Sequence, residues 1–199
     1  MNTVLTATHN RTMNITYFDA ITSPEMTERD PAVAVQRFIC SQAIMLAVMG
    51  VPGVYFHSLF GGRNGLGGVK ETGRYRSINR EKPLVADLER ALEDTGSIRH
   101  RVYAAYSRLL ALRIAHPAFH PLAEQRIINA HPNVFVVERV ARDGEERIVA
   151  LHNVGDAPVT LTLPSTAARA RWAGSAVVMV RPCSAPVDVG RSGVRSPSR

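Results

Sequence analysis

Cysteine is nearly absent from this 199-residue chain, which has only Cys40 and Cys183. That scarcity excludes a disulfide framework and a multi-cysteine zinc site. Cys40 falls inside an apolar helical pattern and reads as a small buried hydrophobe. Any run of about 18 uncharged apolar residues, the length a membrane-crossing helix needs, is also missing. The longest apolar stretch, Phe38 to Tyr55, is broken by Ser41-Gln42, Gly50, Pro52 and Gly53. The opening Met1-Asn2-Thr3-Val4-Leu5-Thr6 lacks the basic and apolar regions of a secretory signal. These absences together predict a cytoplasmic protein with no membrane span. Hydrophobic residues make up 45% of the chain, enough for a core in one domain or two small ones.

Charge is present in quantity but unevenly placed. The net charge is +7. Residues 165–199 carry Arg169, Arg171, Arg181, Arg191, Arg195 and Arg199 against Asp188 alone, so +5 of that total sits in the tail. A basic tail attracts polyanions without specificity. A nucleic-acid function is therefore not expected, and if the tail did bind one, deleting it would abolish a salt-sensitive affinity.

The chain reads in two parts with different periods. Asn14 to Phe18 suggests a short extended piece. Asp30-Pro31 is a helix start, with Asp30 as cap and Pro31 in the first turn. Val35, Phe38, Ile39, Leu46 and Met49 then give a wide apolar face ending at Gly50. Leu84, Leu88 and Leu92 mark a short helix to Glu93. Ser97 caps another that runs to His116, with Val102, Tyr106, Leu109, Leu110 and Leu112 inward, and Pro117 stops it. From Gln125 the period becomes two. Val134–Val140 and Arg147–Asn153 read as strands joined by an Asp143-Gly144 turn. Val159–Leu163 reads as a third strand and Arg126–Ile128 as a short fourth. Beyond residue 164 the Ala/Arg/Ser/Pro/Gly-rich composition predicts disorder, Ala176–Val180 being its one apolar run.

One stretch carries most of the functional signal. In Gly50-Val51-Pro52-Gly53-Val54-Tyr55-Phe56-His57-Ser58-Leu59-Phe60-Gly61, a turn feeds a predicted buried strand, Gly53–Phe56. The polar pair His57-Ser58 stands at its carboxyl end. A Gly-rich loop, residues 61–68, follows, and Ser77-Ile78-Asn79-Arg80-Glu81-Lys82 comes about ten residues after it. A rigid strand, a loop at its carboxyl end and inward polar groups are what a sugar-binding barrel mouth needs. The loop is neither a Walker A nor a dinucleotide fingerprint, since it lacks Lys-Ser/Thr and the strand-helix spacing. His116 and His120 are four apart but separated by Pro117, so no metal site is expected. His152, within a strand, reads as structural. Tyr103 and Tyr106 read as core or rim.

Asn14-Ile15-Thr16-Tyr17-Phe18-Asp19-Ala20, the Gly50–Gly61 run, Arg63-Asn64, Arg76-Ser77-Ile78-Asn79-Arg80-Glu81-Lys82 and Ala115-His116-Pro117-Ala118-Phe119 together resemble the sucrose phosphorylase group of glycoside hydrolase family 13. The Phe-His-Ser-Leu and Ile-Asn-Arg-Glu-Lys wording is more similar to its glucosylglycerate-phosphorylase-like branch. The resemblance covers residues 12–163 and leaves 1–10 and the stretch after Leu163 unmatched. It implies the C-terminal end of a (β/α)8 TIM barrel (14–120) and an incomplete antiparallel β domain (121–164). Residues 1–13 would be an unmatched leader and 165–199 a disordered tail. The fold class is thus α/β plus all-β.

Members of the group transfer a glucosyl unit from an α-glucoside to phosphate with retention, through an aspartate nucleophile, a glutamate acid/base and a second aspartate. All three lie upstream of the segment matching Asn14. Asp19, Glu25 and Asp30 match non-catalytic positions. The chain is therefore expected to be a truncated or rearranged product, inactive alone, with no cofactor and no metal. The alternative is a non-catalytic sugar-binding or interaction module. Arg80 matches the arginine that contacts the glucosyl ring, where a guanidinium fork suits paired hydroxyls. His57 and Asn79 are the other substrate-binding candidates. Arg11 and Thr12 fall in the loop shaping the acceptor and phosphate sites. The expected partners are a small sugar and inorganic phosphate, and a missing barrel half or a second copy.

Overall fold

A computed structural model describes residues 15–79, 81–161 and 187–189. Arg11, Thr12, Arg80, Cys183 and the Ala176–Val180 run lie outside the described residues. The chain divides into two compact units. One comprises Met1–Phe38 and Gly53–Ser107, the other Ile39–Pro52 and Arg108–Arg199.

Helices dominate the first unit. Thr16 is extended, and its hydroxyl accepts from the Asp19 amide at 3.3 Å, so the chain turns into α1 (Tyr17–Ile21) where an extended piece was expected. Ser23 caps α2 (Pro24–Arg29) in the same way. Asp30 accepts from the Val33 amide at 3.0 Å and starts α3 (Pro31–Ala47) with Pro31 in its first turn. The expected strand Gly53–Phe56 is not one. Residues 51–55 have no regular structure, and α4 (Phe56–Leu59) begins directly after them, so His57 sits on a helical turn. A strand exists only as half of a pair, and no described segment lies alongside to pair with this one. The Gly-rich loop runs into α5 (Leu66–Thr72), which ends on Gly73 with φ 64°. Gly67 and Gly68 masked it, because glycine weakens any helical pattern. A 3-10 turn, Tyr75–Asn79, leads to α6 (Val85–Glu93) and α7 (Ile98–Ala115). Ser97 accepts from the His100 amide at 3.0 Å, the cap read from the sequence. Phe18, Phe38, Val102 and Tyr106 are the large side chains this unit buries fully. Burial pushes the Tyr106 phenol up to about 12.

The second unit is built on a three-stranded antiparallel sheet in the order β1 (Glu124–His131), β2 (Val134–Val140), β3 (Arg147–Asn153). Val136 faces Leu151 and Val137 faces Ala150. Alternation sends Ile128, Val134, Val136, Val149 and Leu151 to one face. Val137, Ala141, Ile148 and Ala150 go to the other, where they meet Ala47, Ala118 and Phe119. β1 is longer than the expected Arg126–Ile128. It is an edge strand with half of its residues exposed, and the pairing slips between Ile128 and His131. Gly144 turns the β2–β3 hairpin with φ 76°. β4 (Val159–Leu161) pairs in parallel with β5 (Val187–Val189), a segment inside the tail.

Two arginines in this unit finish α3. Its last carbonyls have no intrahelical donors. Arg113 donates to the carbonyls of Leu46, Val48 (3.4 Å) and Gly50 (2.6 Å). Arg139, fully buried, donates to those of Ala47 (2.8 Å), His120 (2.7 Å), Ala123 (3.4 Å) and Glu124 (3.3 Å). Its guanidinium also lies 5.9 Å from the Phe119 ring centre. Positive charge at a helix C-terminus is favourable, which offsets part of the burial cost. On the opposite face Glu138 accepts from Arg126 (2.8 Å) and Arg147 (2.9 Å). Burial works against its charge, but the two arginines win and hold the carboxyl below its ordinary pKa.

Candidate functional site

Most of the motifs that carried the resemblance, Ala115–Phe119 excepted, fall wholly or largely in the first unit. Asp19 on α1 is buried, and its carboxylate accepts from the Arg63 guanidinium and from the Asn64 amide at 2.7 Å. The Asn64 side chain accepts in return from the Thr16 amide at 2.7 Å. Arg63 also lies 5.5 Å from the Phe18 ring centre. This reciprocal clamp ties α1 to the start of the Gly-rich loop. Both carboxylate oxygens of Asp19 are thereby engaged in holding the loop.

The loop passes the constraint on. Gly61 has φ 60°, and a Cβ there would lie 2.9 Å from a Val102 methyl, so both conformation and space require glycine. The Gly62 amide donates to the His57 carbonyl at 2.6 Å. The Gly65 amide donates to the Ile78 carbonyl at 2.7 Å, next to Asn79. On the other side of position 80, Glu81 is gripped by Arg99 through one nitrogen, at 3.1 and 2.9 Å to the two carboxylate oxygens.

Two of the three predicted substrate-binding residues are described. His57 and Asn79 are both half-buried. Tyr55 links them: its ring centre is 5.2 Å from that of His57, and its hydroxyl donates to the Asn79 carbonyl at 3.4 Å. The Asn79 backbone is thus engaged by the tyrosine. Sequence reasoning missed Tyr55 because it was assigned to a buried strand, whereas 55% of its surface is exposed. Of the two tyrosines read as core or rim, Tyr106 is core and Tyr103 is 39% exposed, stacked on Phe60.

Other candidates resolve into structural contacts. His116 bonds to Glu146 at 2.7 Å, whereas His120 accepts from the Leu122 amide at 3.1 Å. Among the described residues no group of three or more His, Cys, Asp or Glu side chains is placed to hold a metal ion. No described helix is long and apolar enough to cross a membrane. Cys40 is buried, with its sulfur 3.7 Å from the Asn153 carbonyl oxygen. A cleft in the second unit, lined by Ala43, Leu46, Leu112 and Phe119, is apolar, and its one cation, Arg113, spends its donors on carbonyls.

Breaking the clamp has a local consequence. Asp19→Asn is expected to cost roughly 2 kcal/mol, the worth of charge-assisted hydrogen bonds in a partly covered pair. Hydrogen exchange of the Asn64 and Gly65 amides should speed up with it. Unchanged protection there would deny the clamp its role.

The fold of the described residues is that of part of a carbohydrate phosphorylase. The crystal structure of sucrose 6F-phosphate phosphorylase from Thermoanaerobacter thermosaccharolyticum matches with a TM-score of 0.56 at 21% identity, over 71% of this chain and 25% of that one. In sequence the chain is homologous to the glucosylglycerate phosphorylases, the branch whose motif wording it resembles. It is 40% identical to that of Allomeiothermus silvanus over 144 residues, 72% of this chain and 25% of the relative. Identity is 35% over 154 residues to that of Spirochaeta thermophila, 77% of this chain and 26% of the relative. For that of Escherichia coli it is 37% over 132 residues, 66% of this chain and 23% of the relative. The chain therefore spans about a quarter of the length of the curated relatives it matches. No protein-family profile matches it.

Proposed function

We propose that this chain is the C-terminal part of a retaining α-glucoside phosphorylase. It comprises the end of a (β/α)8 barrel over residues 14–120 and an incomplete antiparallel β domain over 121–164. Residues 1–13 are a leader outside the homologous region, and 165–199 form a tail. The substrate class is an α-glucoside of glycerate, whose glucosyl unit passes to phosphate as α-glucose 1-phosphate. Arg80 supplies a guanidinium fork to the sugar hydroxyls, and His57 and Asn79 line the same site. The reacting carboxylates are not among the motifs present, so the chain does not catalyse alone. The same reading makes the protein cytoplasmic, where a charged sugar phosphate is retained.

What carries this reading is identity of 35–40% over 144 and 154 residues with relatives that share one name. The test is a chimera in which residues 15–161 of this chain replace the matched quarter of the Allomeiothermus silvanus enzyme. Phosphorolysis of glucosylglycerate is expected in the chimera and not with this chain alone. Arg80→Ala in the chimera should lower kcat/KM by roughly 10- to 100-fold, the loss of a hydrogen bond from a charged donor. A folded chimera without activity, or glucose 1-phosphate made by the isolated chain, sinks the reading.

A further inference from the structure

Asn64-Gly65 is the one place in the chain where glycine follows asparagine. That pair is chemically unstable. The glycine amide nitrogen, with no side chain beside it, attacks the asparagine side-chain carbonyl carbon and closes a succinimide ring. Ammonia leaves, and water then opens the ring to aspartate or isoaspartate. The net change is an amide plus water giving a carboxylic acid plus ammonia, with no oxidant, reductant or enzyme. Asparagine is thermolabile for this reason. The product carries a negative charge where the side chain was neutral.

The fold holds both reacting groups. The Gly65 amide, the attacking group, donates to the Ile78 carbonyl at 2.7 Å. The Asn64 side-chain oxygen accepts from the Thr16 amide at 2.7 Å. The Asn64 amide donates to Asp19 at 2.7 Å, and its carbonyl accepts from the Leu66 amide at 3.1 Å. Ring closure needs the Gly65 amide free of Ile78 and the Asn64 side chain turned away from Thr16. Both bonds must open first, so the rate follows the opening of the loop.

Neither conformation nor space asks for glycine at position 65. Its φ is −81°, open to any residue. A Cβ there would meet the Ile78 carbonyl oxygen at 3.5 Å and the Glu81 Cβ at 3.6 Å, ordinary van der Waals contacts. An alanine would therefore fit, and its methyl would crowd the attack. The product also changes the clamp. Aspartate at 64 sets a second carboxylate beside that of Asp19, and like charges repel. Isoaspartate lengthens the backbone by a methylene and carries Gly65 off the Ile78 carbonyl. We propose that Asn64-Gly65 is a self-modifying site. The bonds from Thr16, Asp19 and Ile78 hold its deamidation in check, and conversion releases the loop that enters α5.

The test incubates the full chain at physiological temperature in mildly alkaline buffer. Mass spectrometry follows the peptide that holds Asn64. Asp143-Gly144 can isomerise too, but without a change of mass. Conversion is expected to be about tenfold slower, or more, than in the same chain unfolded in urea. Asp19→Asn should speed it about tenfold, because the loop then opens more often. Arg63→Gln takes its place if that variant does not fold. Gly65→Ala should suppress conversion in the folded and the unfolded chain, with an unchanged circular dichroism spectrum. Asn64→Asp, the product made directly, should speed hydrogen exchange at the Gly65 amide about tenfold. Equal rates in the folded and unfolded chain, or in the wild type and the clamp variant, overturn the restraint. An Asn64 that stays intact even in urea, or a Gly65→Ala chain that converts like the wild type, overturns the site. Undiminished Gly65 protection in Asn64→Asp overturns the release. None of these readouts depends on a sugar or on the phosphorylase reading.

Discussion

Arg139→Met is expected to destabilise the second unit by about 3–5 kcal/mol, the range for breaking a buried hydrogen-bonded charge network. Methionine matches the apolar stem of arginine and relieves the desolvation of a buried cation. It leaves the carbonyls of Ala47, His120, Ala123 and Glu124 without the donor that now serves all four. Each carbonyl cut off from both water and a partner costs about 1–3 kcal/mol, which outweighs the relief. Burial, and then the neighbouring Arg113 guanidinium, lower the Arg139 pKa. The side chain remains a cation at neutral pH all the same. Arg139→Lys should fall between the two, because an ammonium has no fork to span carbonyls from α3 and from the turn before β1. Urea denaturation of the three proteins, followed by far-ultraviolet circular dichroism, measures the difference. A loss below about 1 kcal/mol for Arg139→Met would show that water replaces the guanidinium.

The second large effect is on pH dependence. His152 in β3 is fully buried, its ring stacked on Phe135 with centres 5.9 Å apart. Neither ring nitrogen has a hydrogen-bond partner among the described residues. Burial therefore pushes its pKa down from 6.5 to about 4. A histidine whose pKa is depressed by folding binds its proton more readily when unfolded. Its contribution to stability is intact above pH 6.5, and it is lost as the pH falls toward 4. At 1.36 kcal/mol per pKa unit, the loss is about 2 kcal/mol between pH 7 and pH 5 and about 3 kcal/mol by pH 4. Glu138 adds acid sensitivity in a lower window. Its depressed pKa gives stability that is present above the unfolded value of 4.5 and lost below it. A comparison of pH 7 with pH 5 therefore isolates the histidine. His152→Leu should remove the slope between those two values. A slope that survives the substitution would assign it to another group.

Periodicity and capping revealed the elements whose partners are close in sequence. β2 and β3 were readable to the residue because each alternates apolar residues and Asp143-Gly144 turns one into the other. The starts of α3 and α7 were readable because Asp30 and Ser97 sit next to the amides they cap. The candidate site was legible only as a set of motifs, Asn14–Ala20, Gly50–Gly61, Arg63-Asn64 and Arg76–Lys82. How they are held together was not. Asp19 and Arg63 are 44 positions apart, and nothing in either local pattern announces the pair. Gly53–Phe56 looked like a buried strand because its composition is that of one. Burial needs a neighbour, and no described residue of this chain supplies it.

The sequence alone determined the kinship with glucosylglycerate phosphorylases and the helical and antiparallel parts, and by resemblance it supplied the candidates for a sugar site. Those follow from motif, period and composition, all local properties of a chain. Only the tertiary structure decided that Asp19 clamps a loop and that His57 rides on a helical turn beside Tyr55. It also decided that Arg139 is a buried cation satisfying α3 and that Tyr55, Phe56 and Tyr103 stand uncovered. Each of these depends on which distant groups share a dielectric, a donor or a surface, and those relations exist only once the chain has folded.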